Sequence, residues 1–480
     1  MAKKTEKKAE SSDLPEMEVQ TEQLKDLIHS QIQAQKDFFR TNATKPLKWR
    51  LSKLKSLYTS VKNHEKEIAQ ALYTDLAKSE FEAYVTEEGF VLHEISLVKK
   101  NLKKWAKIKK VHEGAMSGPA KSQIMPEPYG TVLIIAPWNY PFLLTLQPLV
   151  SAIASGNTAV VKCSELSPAT NKIVETIIKE VFEPEHVLYV EPGYMQTEIL
   201  SHEHFDFIFF TGSPKVGKII MENAAKFLTP VCLELGGKSP CIIEENANIA
   251  MAARRIVWGK LMNAGQTCVA PDYVLVEKSV KDSFIKSVHE EIENLYGDNV
   301  LANPEYPKII NSRHFTRLFS MVPEAKVDTS TNKISPTILD LGDLNGVEAL
   351  NHPTMKEEIF GPLLPVLTYE NLDDAMDFVA TRPTPLALYL FSKDKRVQRK
   401  VFGSLRFGGG CINDVICHLS ANGLPFGGFG ESGMGNYHGE YGFKTFSHYK
   451  SVLIQHPNKD SKYRYNSHGK YLELIKKFLK

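Results

Sequence analysis

Apolar residues in the first hundred positions fall at helical steps. Leu51, Leu54, Leu57, Val61, Ile68 and Leu72 recur at intervals of three or four residues or their sums, and Val91, Ile95, Val98, Leu102 and Trp105 repeat the pattern. The spacing predicts helices across 20–108 whose stripes face a core. Beyond residue 130 the period changes. Short apolar runs at 131–136, 158–162, 186–190 and 206–210 alternate with helical stretches, the pattern of βαβ units around a parallel sheet. The predicted fold class is therefore α/β. Nucleotide ligands of such sheets lie at the carboxyl ends of the strands.

One segment imitates a membrane span. From Thr131 to Val161 there is no charged residue, and about 20 apolar residues suffice to cross a bilayer. Pro137, Asn139, Pro141, Gln147, Pro148, Gly156 and Asn157 interrupt it. The reading is a strand (131–136), a loop, a short buried helix (146–154) and a second strand (158–162). At the front, residues 1–19 are rich in charge and lack an apolar signal segment, so a solvated, disordered tail is expected.

Composition narrows the class. A chain of 480 residues predicts two or three domains. Lys plus Arg (58) nearly balance Asp plus Glu (56), which gives no field for nucleic acid. The six cysteines form no CxxC pair, which argues against a zinc site and a disulfide framework and fits a reducing cytoplasm.

Two stretches carry candidate chemistry. Glu234-Leu235-Gly236-Gly237-Lys238 precedes Gly265-Gln266-Thr267-Cys268, with the thiol 34 positions after the carboxylate. A cysteine on a small-residue turn suits a thiolate nucleophile, and a nearby carboxylate suits a general base. The glycines let backbone pass close to a ligand. Against this stands the plainer reading of a buried thiol and an ordinary turn. Gly212-Ser213-Pro214-Lys215-Val216-Gly217-Lys218 follows the 206–210 run and opens a helix, with Ser213 as N-cap and Pro214 at the first position. Such a terminus offers amides to a phosphate. Ile219 stands where a Walker A loop needs Ser or Thr, and no Gly-x-Gly-x-x-Gly is present, so spacing alone leaves the nucleotide open.

Together these boxes resemble the aldehyde dehydrogenase family over residues 30–455. The Glu-Leu-Gly-Gly-Lys and Gly-Gln-x-Cys boxes match at the family's interval, and Phe210-Thr211-Gly212-Ser213 with Gly217 matches its pyrophosphate segment. The resemblance implies Cys268 as nucleophile, Glu234 as base, and Asn139, in Pro137-Trp138-Asn139-Tyr140-Pro141, as the amide that meets the oxyanion. It implies cofactor contacts from Trp138, Gly212, Ser213, Pro214, Val216 and Gly217. Lys162 and Glu165 correspond to the adenine-ribose pair, with Cys163 replacing the usual proline; Glu358 and Phe360, in Glu357-Glu358-Ile359-Phe360-Gly361-Pro362, correspond to the nicotinamide end. The glycine-rich 424–435 segment, followed by Tyr437-His438-Gly439, resembles the family's C-terminal signature and is expected to return beside the active site.

Glu82-Ala83-Tyr84, Glu127-Pro128-Tyr129-Gly130, Ala270-Pro271-Asp272-Tyr273 and Ile412-Asn413-Asp414-Val415 lean toward class 3, the fatty and aromatic aldehyde dehydrogenases. The implied fold is a Rossmann-like cofactor domain (20–233, with 412–443 returning near it), an α/β catalytic domain (234–411) and a small β oligomerisation arm (113–130 and 444–457). A homodimer is implied. So are NAD as cofactor, with NADP also accepted although Glu165 repels a 2′-phosphate, and no metal. The expected reaction is aldehyde to carboxylic acid through a thiohemiacetal and thioester. A CoA-acylating relative, a P-loop NTPase and a non-enzymatic binding protein are the rivals. Trp138 and Tyr140 suggest an apolar pocket for medium- or long-chain aliphatic or aromatic aldehydes. Residues 322–337 depart from the family as a shorter, more polar segment. The basic amphipathic end, Tyr471 to Lys480, could rest on an anionic membrane, but so short a stretch buries little area and packing on protein is the expectation.

Overall fold

The computed structural model of the protein describes residues 13–111, 120–460, 465 and 469–478. The predicted stripes face inward: Leu54, Leu57, Val61, Ile68, Leu72, Val91, Ile95, Val98 and Leu102 are buried, and Trp105 packs against the same core. Two boundaries differ from expectation. The first helix begins at Asp13 and runs to Arg40, so the segment read as a tail is helical from residue 13, and its earlier part lies outside the described residues. A single turn between helices is π-wound, Tyr84–Glu88, with Gly89 N–H donating to the Tyr84 carbonyl.

Two six-stranded sheets build the body. The first runs Gly433–Met434, Val231–Leu235, Phe207–Gly212, Thr131–Ile135, Thr158–Lys162, Val187–Val190. All its pairs are parallel except the short returning strand, which pairs antiparallel with Val231–Leu235 and sets Gly433 opposite Glu234. The strands are near-continuous apolar runs because helices cover both faces. The charge-free segment resolves into a strand, a 13-residue helix (Leu143–Ser155, three residues earlier than expected) and a strand. Among the described residues no helix is long and apolar enough to cross a membrane.

The second sheet is wholly parallel: Thr337–Asp343, Leu363–Tyr369, Tyr273–Glu277, Pro240–Ile243, Ala387–Phe391, Gly409–Ile412. Residues 322–337 carry a two-stranded hairpin, Val327–Asp328 with Lys333–Ile334. A third sheet stands apart, joining Lys109–Val111, Lys121–Pro128 and Ser447–Ile454; residues 112–119 of the expected arm lie outside the described residues.

Strand order fixes where a ligand can sit. In the first sheet the earliest strand, Thr131–Ile135, lies between the second and fourth, so the connections leave in opposite directions there. That switch opens a crevice at the carboxyl ends. The residues leaving those two ends are Pro137-Trp138-Asn139 and Ser213-Pro214.

Gly433 takes φ +140°, and a Cβ there would stand 2.1 Å from the Leu233 carbonyl oxygen. Gly433→Ala should therefore break the returning pair beside Glu234 and lower unfolding free energy by more than about 1 kcal/mol. Urea unfolding measures it; an unshifted midpoint would contradict the pairing.

Candidate active site

Asn139, Glu234 and Cys268 come together on one cleft, from three distant segments. The cleft, about 540 Å³, is also lined by Trp138, Gly212, Ser213, Pro214, Glu358 and Phe360. A second, mostly apolar cavity of about 550 Å³ lies on the other side, walled by Phe81, Tyr140, Trp258, Tyr296 and Ile416. Cys268 and Leu144 line both. The thiol thus stands in the partition, partly exposed on its turn.

The partition is held by side chains reaching backbone. Asn139 Nδ2 donates to the Gln266 carbonyl at 3.0 Å, two residues before the nucleophile. Gln266 Nε2 donates to the carbonyls of Asn263 and Lys308, each at 3.0 Å, and its Oε1 accepts from Ile310 N–H at 3.0 Å. Tyr140 and Thr267 share a hydroxyl hydrogen bond at 2.6 Å. Asn263, Ala264 and Gly265 all take positive φ, a sharp run that lifts the turn out of the preceding helix.

Glu234 is buried in the Val231–Leu235 strand. Its Oε1 meets Cys232 Sγ at 3.9 Å and its Oε2 has no hydrogen-bond partner. Glu358 Oε1 also lacks one. Burial pushes the Glu234 carboxyl well up; Glu358 is pushed to about 8 by burial and then by the charge of Asp272. The Cys268 thiol is raised by burial, then by the Glu358 and Glu234 charges, and only partly offset by the amide N–H groups of Cys268 and Val269. Two carboxyls, each with one oxygen lacking a hydrogen-bond partner, and a thiol raised by burial stand around one cleft, where a positive charge would favour all three ionised forms.

The cofactor residues divide. Ser213 caps the Pro214–Ala225 helix by accepting from Val216 N–H, with Pro214 first, as predicted. Trp138 packs at a tilt, 4.9 Å from His314, and meets the Phe360 ring edge-on at 5.4 Å. It faces the cleft, so of the two aromatics expected to shape the apolar pocket only Tyr140 does so. Lys162 and Glu165 pair at 3.1 Å at the end of the Thr158–Lys162 strand; they, Val216 and Gly217 do not line the cleft. Gly217 instead admits Leu235, 2.7 Å from where a Cβ would be. Gly236 and Gly237 line the cleft and are also closely packed: a Cβ on Gly236 would strike the Glu358 carboxylate, and one on Gly237 would meet the Pro385–Leu386 backbone. Cys163, in place of the usual proline, is a buried thiol that burial pushes up to about 12.

Sequence reasoning missed the residues that hold this loop. Lys238 pairs with Asp272 and donates to the carbonyls of Thr354 and Glu357, while Asp272 Oδ1 accepts from Ile359 N–H at 2.9 Å. Arg317 Nη1 bonds Glu357. Lys238 and Asp272 sat inside quoted boxes, but nothing local paired them. Among the described residues no cluster of three or more His, Cys, Asp or Glu could hold a metal ion.

The profile of the Aldehyde dehydrogenase family matches residues 15–452. The chain belongs to that family. It is 45% identical over 462 residues to the 4,4'-diaponeurosporen-aldehyde dehydrogenase of Staphylococcus aureus (strain NCTC 8325 / PS 47), covering 95% of this chain and 99% of that one. Aldehyde dehydrogenase family 3 member A2 of Rattus norvegicus is 44% identical over 434 residues, 89% of this chain and 88% of that protein. A solved structure of Staphylococcus aureus AldH in a substrate-bound state superposes with TM-score 0.91 at 45% identity, covering 94% and 99%. These relatives place the chain with class 3. The protein is an oxidoreductase that converts aldehydes to carboxylic acids with NAD or NADP.

The raised thiol carries a measurable consequence. In the resting aldehyde dehydrogenase, alkylation of Cys268 by iodoacetamide should climb steadily from pH 7 to 9, because the thiolate fraction grows about tenfold per pH unit below the pKa. A plateau below pH 8 would contradict the burial argument.

Proposed function

We propose that this chain oxidises medium- or long-chain aliphatic or aromatic aldehydes, with Cys268 as nucleophile, Glu234 as general base and Asn139 as oxyanion donor. The position of Cys268 between a mostly apolar cavity and a cleft that also holds Asn139, Glu234 and Glu358 carries the reading. An aldehyde enters from the apolar side and its carbonyl carbon reaches the sulfur. The thiol gives its proton to solvent, and the thiolate forms the S–C bond as the carbonyl π bond opens onto oxygen. The resulting oxyanion takes the second N–H of Asn139, whose first is committed to Gln266, and the N–H of Cys268. Trp138, Glu358, Phe360 and the helix start at Ser213 and Pro214 would hold NAD(P) in the cleft, where it would supply the two-electron acceptor for the hydride of that carbon. The carbon, two electrons poorer, is now a thioester on Cys268. Glu234 takes a proton from water, the hydroxide adds to the thioester, and the C–S bond breaks to free the acid and the thiolate. The unpartnered oxygen of Glu234 supports water, and not CoA, as the acceptor.

The dinucleotide runs from the capped helix at Ser213 and Pro214, with Gly212, Val216 and Gly217 shaping its approach, to Trp138, Glu358 and Phe360 at the nicotinamide end. Lys162 and Glu165 take the adenine ribose beyond the cleft. In this reading the 20–233 and 412–443 segments form the cofactor domain and 234–411 the catalytic domain. The separate three-stranded sheet is the arm of a homodimer; exposed Tyr449, Leu453 and Ile454 on its long strand support this, as does a Canis lupus familiaris relative, 42% identical over 434 residues, named as dimeric and NADP-preferring. The C-terminal helix Leu472–Phe478 keeps Leu472 and Leu474 exposed, and a partner subunit is a better cover for seven residues than a lipid surface. The enzyme works in the cytoplasm.

Cys268→Ala should retain NAD binding and lose NADH production; substantial residual turnover would reject the nucleophile. Glu234→Gln should release at most one NADH per site and stall, whereas unchanged steady turnover would mean another base. Across a chain-length series, kcat/KM should rise with each methylene up to the length the cavity holds, each one buried being worth about 0.8 kcal/mol. Equal values for acetaldehyde and decanal would contradict the apolar cavity as the substrate site.

A further inference from the structure

The loop that presents Asn139 does not rest on apolar packing alone. Beneath it lies an ion pair, Lys78–Glu87, with both side chains fully buried. Ala77 takes a left-handed φ of +53° after the Glu65–Leu76 helix, and the chain turns to send Lys78 inward. Its ammonium donates to Glu87 Oε1 and to the Asn139 carbonyl at 3.1 Å, and sits 3.9 Å from the centre of the Tyr140 ring. Glu87 uses its other oxygen on the same segment: Oε2 accepts from Phe142 N–H at 2.9 Å and Leu143 N–H at 3.1 Å. Those amides open the Leu143–Ser155 helix, where a carboxylate is favoured.

The π-wound turn belongs to the same device. Glu87 lies within it, and Glu82, five residues earlier, sends Oε1 to accept from Asn263 N–H at 2.7 Å. Asn263 in turn donates from Nδ2 to the Asn139 carbonyl at 2.7 Å. Two carboxylates from one short segment thus hold both sides of the partition: the oxyanion loop and the strained turn leading to Cys268.

Stability gives no reason for such an arrangement. Desolvating a buried pair offsets most of its Coulomb attraction, and apolar residues of similar volume often serve as well. What apolar residues could not supply is a hold on a carbonyl and two amides within residues 139–143. We infer that Lys78 and Glu87 are positioning residues for aldehyde oxidation, fixing the loop that aims the Asn139 amide at the carbon bound to Cys268. The inference rests on Asn139 being the oxyanion donor. Neither residue touches substrate or cofactor.

The test compares four variants of the full chain: Lys78→Met, Lys78→Met with Glu87→Gln, Asn139→Ala, and Asn139→Ala with Lys78→Met. Each is measured for kcat and KM with a medium-chain aldehyde, for NAD affinity, and for iodoacetamide alkylation of Cys268, which needs no oxyanion support. Lys78→Met should lower kcat about 100-fold, the usual cost of misplacing a group by an ångström, while NAD affinity and alkylation stay at wild-type values. In the Asn139→Ala background it should cause no further loss. If Lys78→Met does not fold, the charge-free pair leaves no lone buried charge and should show the same profile. Full additivity of the Asn139 and Lys78 effects, or a parallel fall in NAD affinity and alkylation, would overturn the inference by showing a general structural defect. Wild-type kcat in Asn139→Ala would instead remove the oxyanion reading itself. Loss of kcat in Asn139→Ala with wild-type kcat in the charge-free pair would overturn the positioning role alone.

Discussion

The hydrogen bond from Asn139 Nδ2 to the Gln266 carbonyl, with the Asn263–Asn139 and Tyr140–Thr267 bonds beside it, joins the two halves of the chemistry. On one side is the loop that leaves the first sheet at its topological switch. On the other is the turn that carries the thiol. Each half is braced separately. Gln266 is held at both ends of its amide, and the Asn139 carbonyl takes two donors of its own. The bond therefore connects two rigid bodies, and the sulfur sits at a fixed place between two cavities.

Electrostatics in the site follow from that burial. A thiol and two carboxyls share a cleft with too few donors to hold their charges, and all three are driven toward neutrality. The arrangement is costly at rest and becomes favourable when positive charge arrives. In the proposed mechanism this makes the reactivity of Cys268 conditional on the bound cofactor. Lys238, Asp272 and Arg317 perform the matching structural task, fixing the Glu357–Phe360 loop without neutralising Glu358.

Much of this was legible in the chain. Periodicity found the helical stripes and the first-sheet strands because each element repeats its own period locally. The boxes around Glu234, Cys268 and Ser213 were legible as short motifs with a chemical reason, whereas Asn139 stood out only through the family resemblance. What stayed hidden depends on distance in sequence. Lys78 and Asn139 are 61 residues apart, and nothing near Lys78 distinguishes it from a surface lysine. Gly236 reads as room for a ligand and does line the cleft, but its close contact with Glu358 is one that no local pattern could reveal. Trp138 and Tyr140 are near neighbours and look alike as pocket aromatics, but backbone geometry sends them to opposite sides of the partition. The tail boundary failed because charge predicted solvation, and a solvated segment can still be helical, as Asp13 onward is.

The central claim is that the acyl group passes through Cys268 alone, between an apolar entrance and a dinucleotide cleft. Rapid acid quench of the enzyme turning over a medium-chain aldehyde with NAD, followed by peptide mapping, tests it most directly. The account predicts one acyl mass, two hydrogens lighter than the bound aldehyde adduct, on the peptide containing Cys268. An acyl group on Cys411 or Cys417, or no covalent intermediate at any time point during turnover, would contradict it.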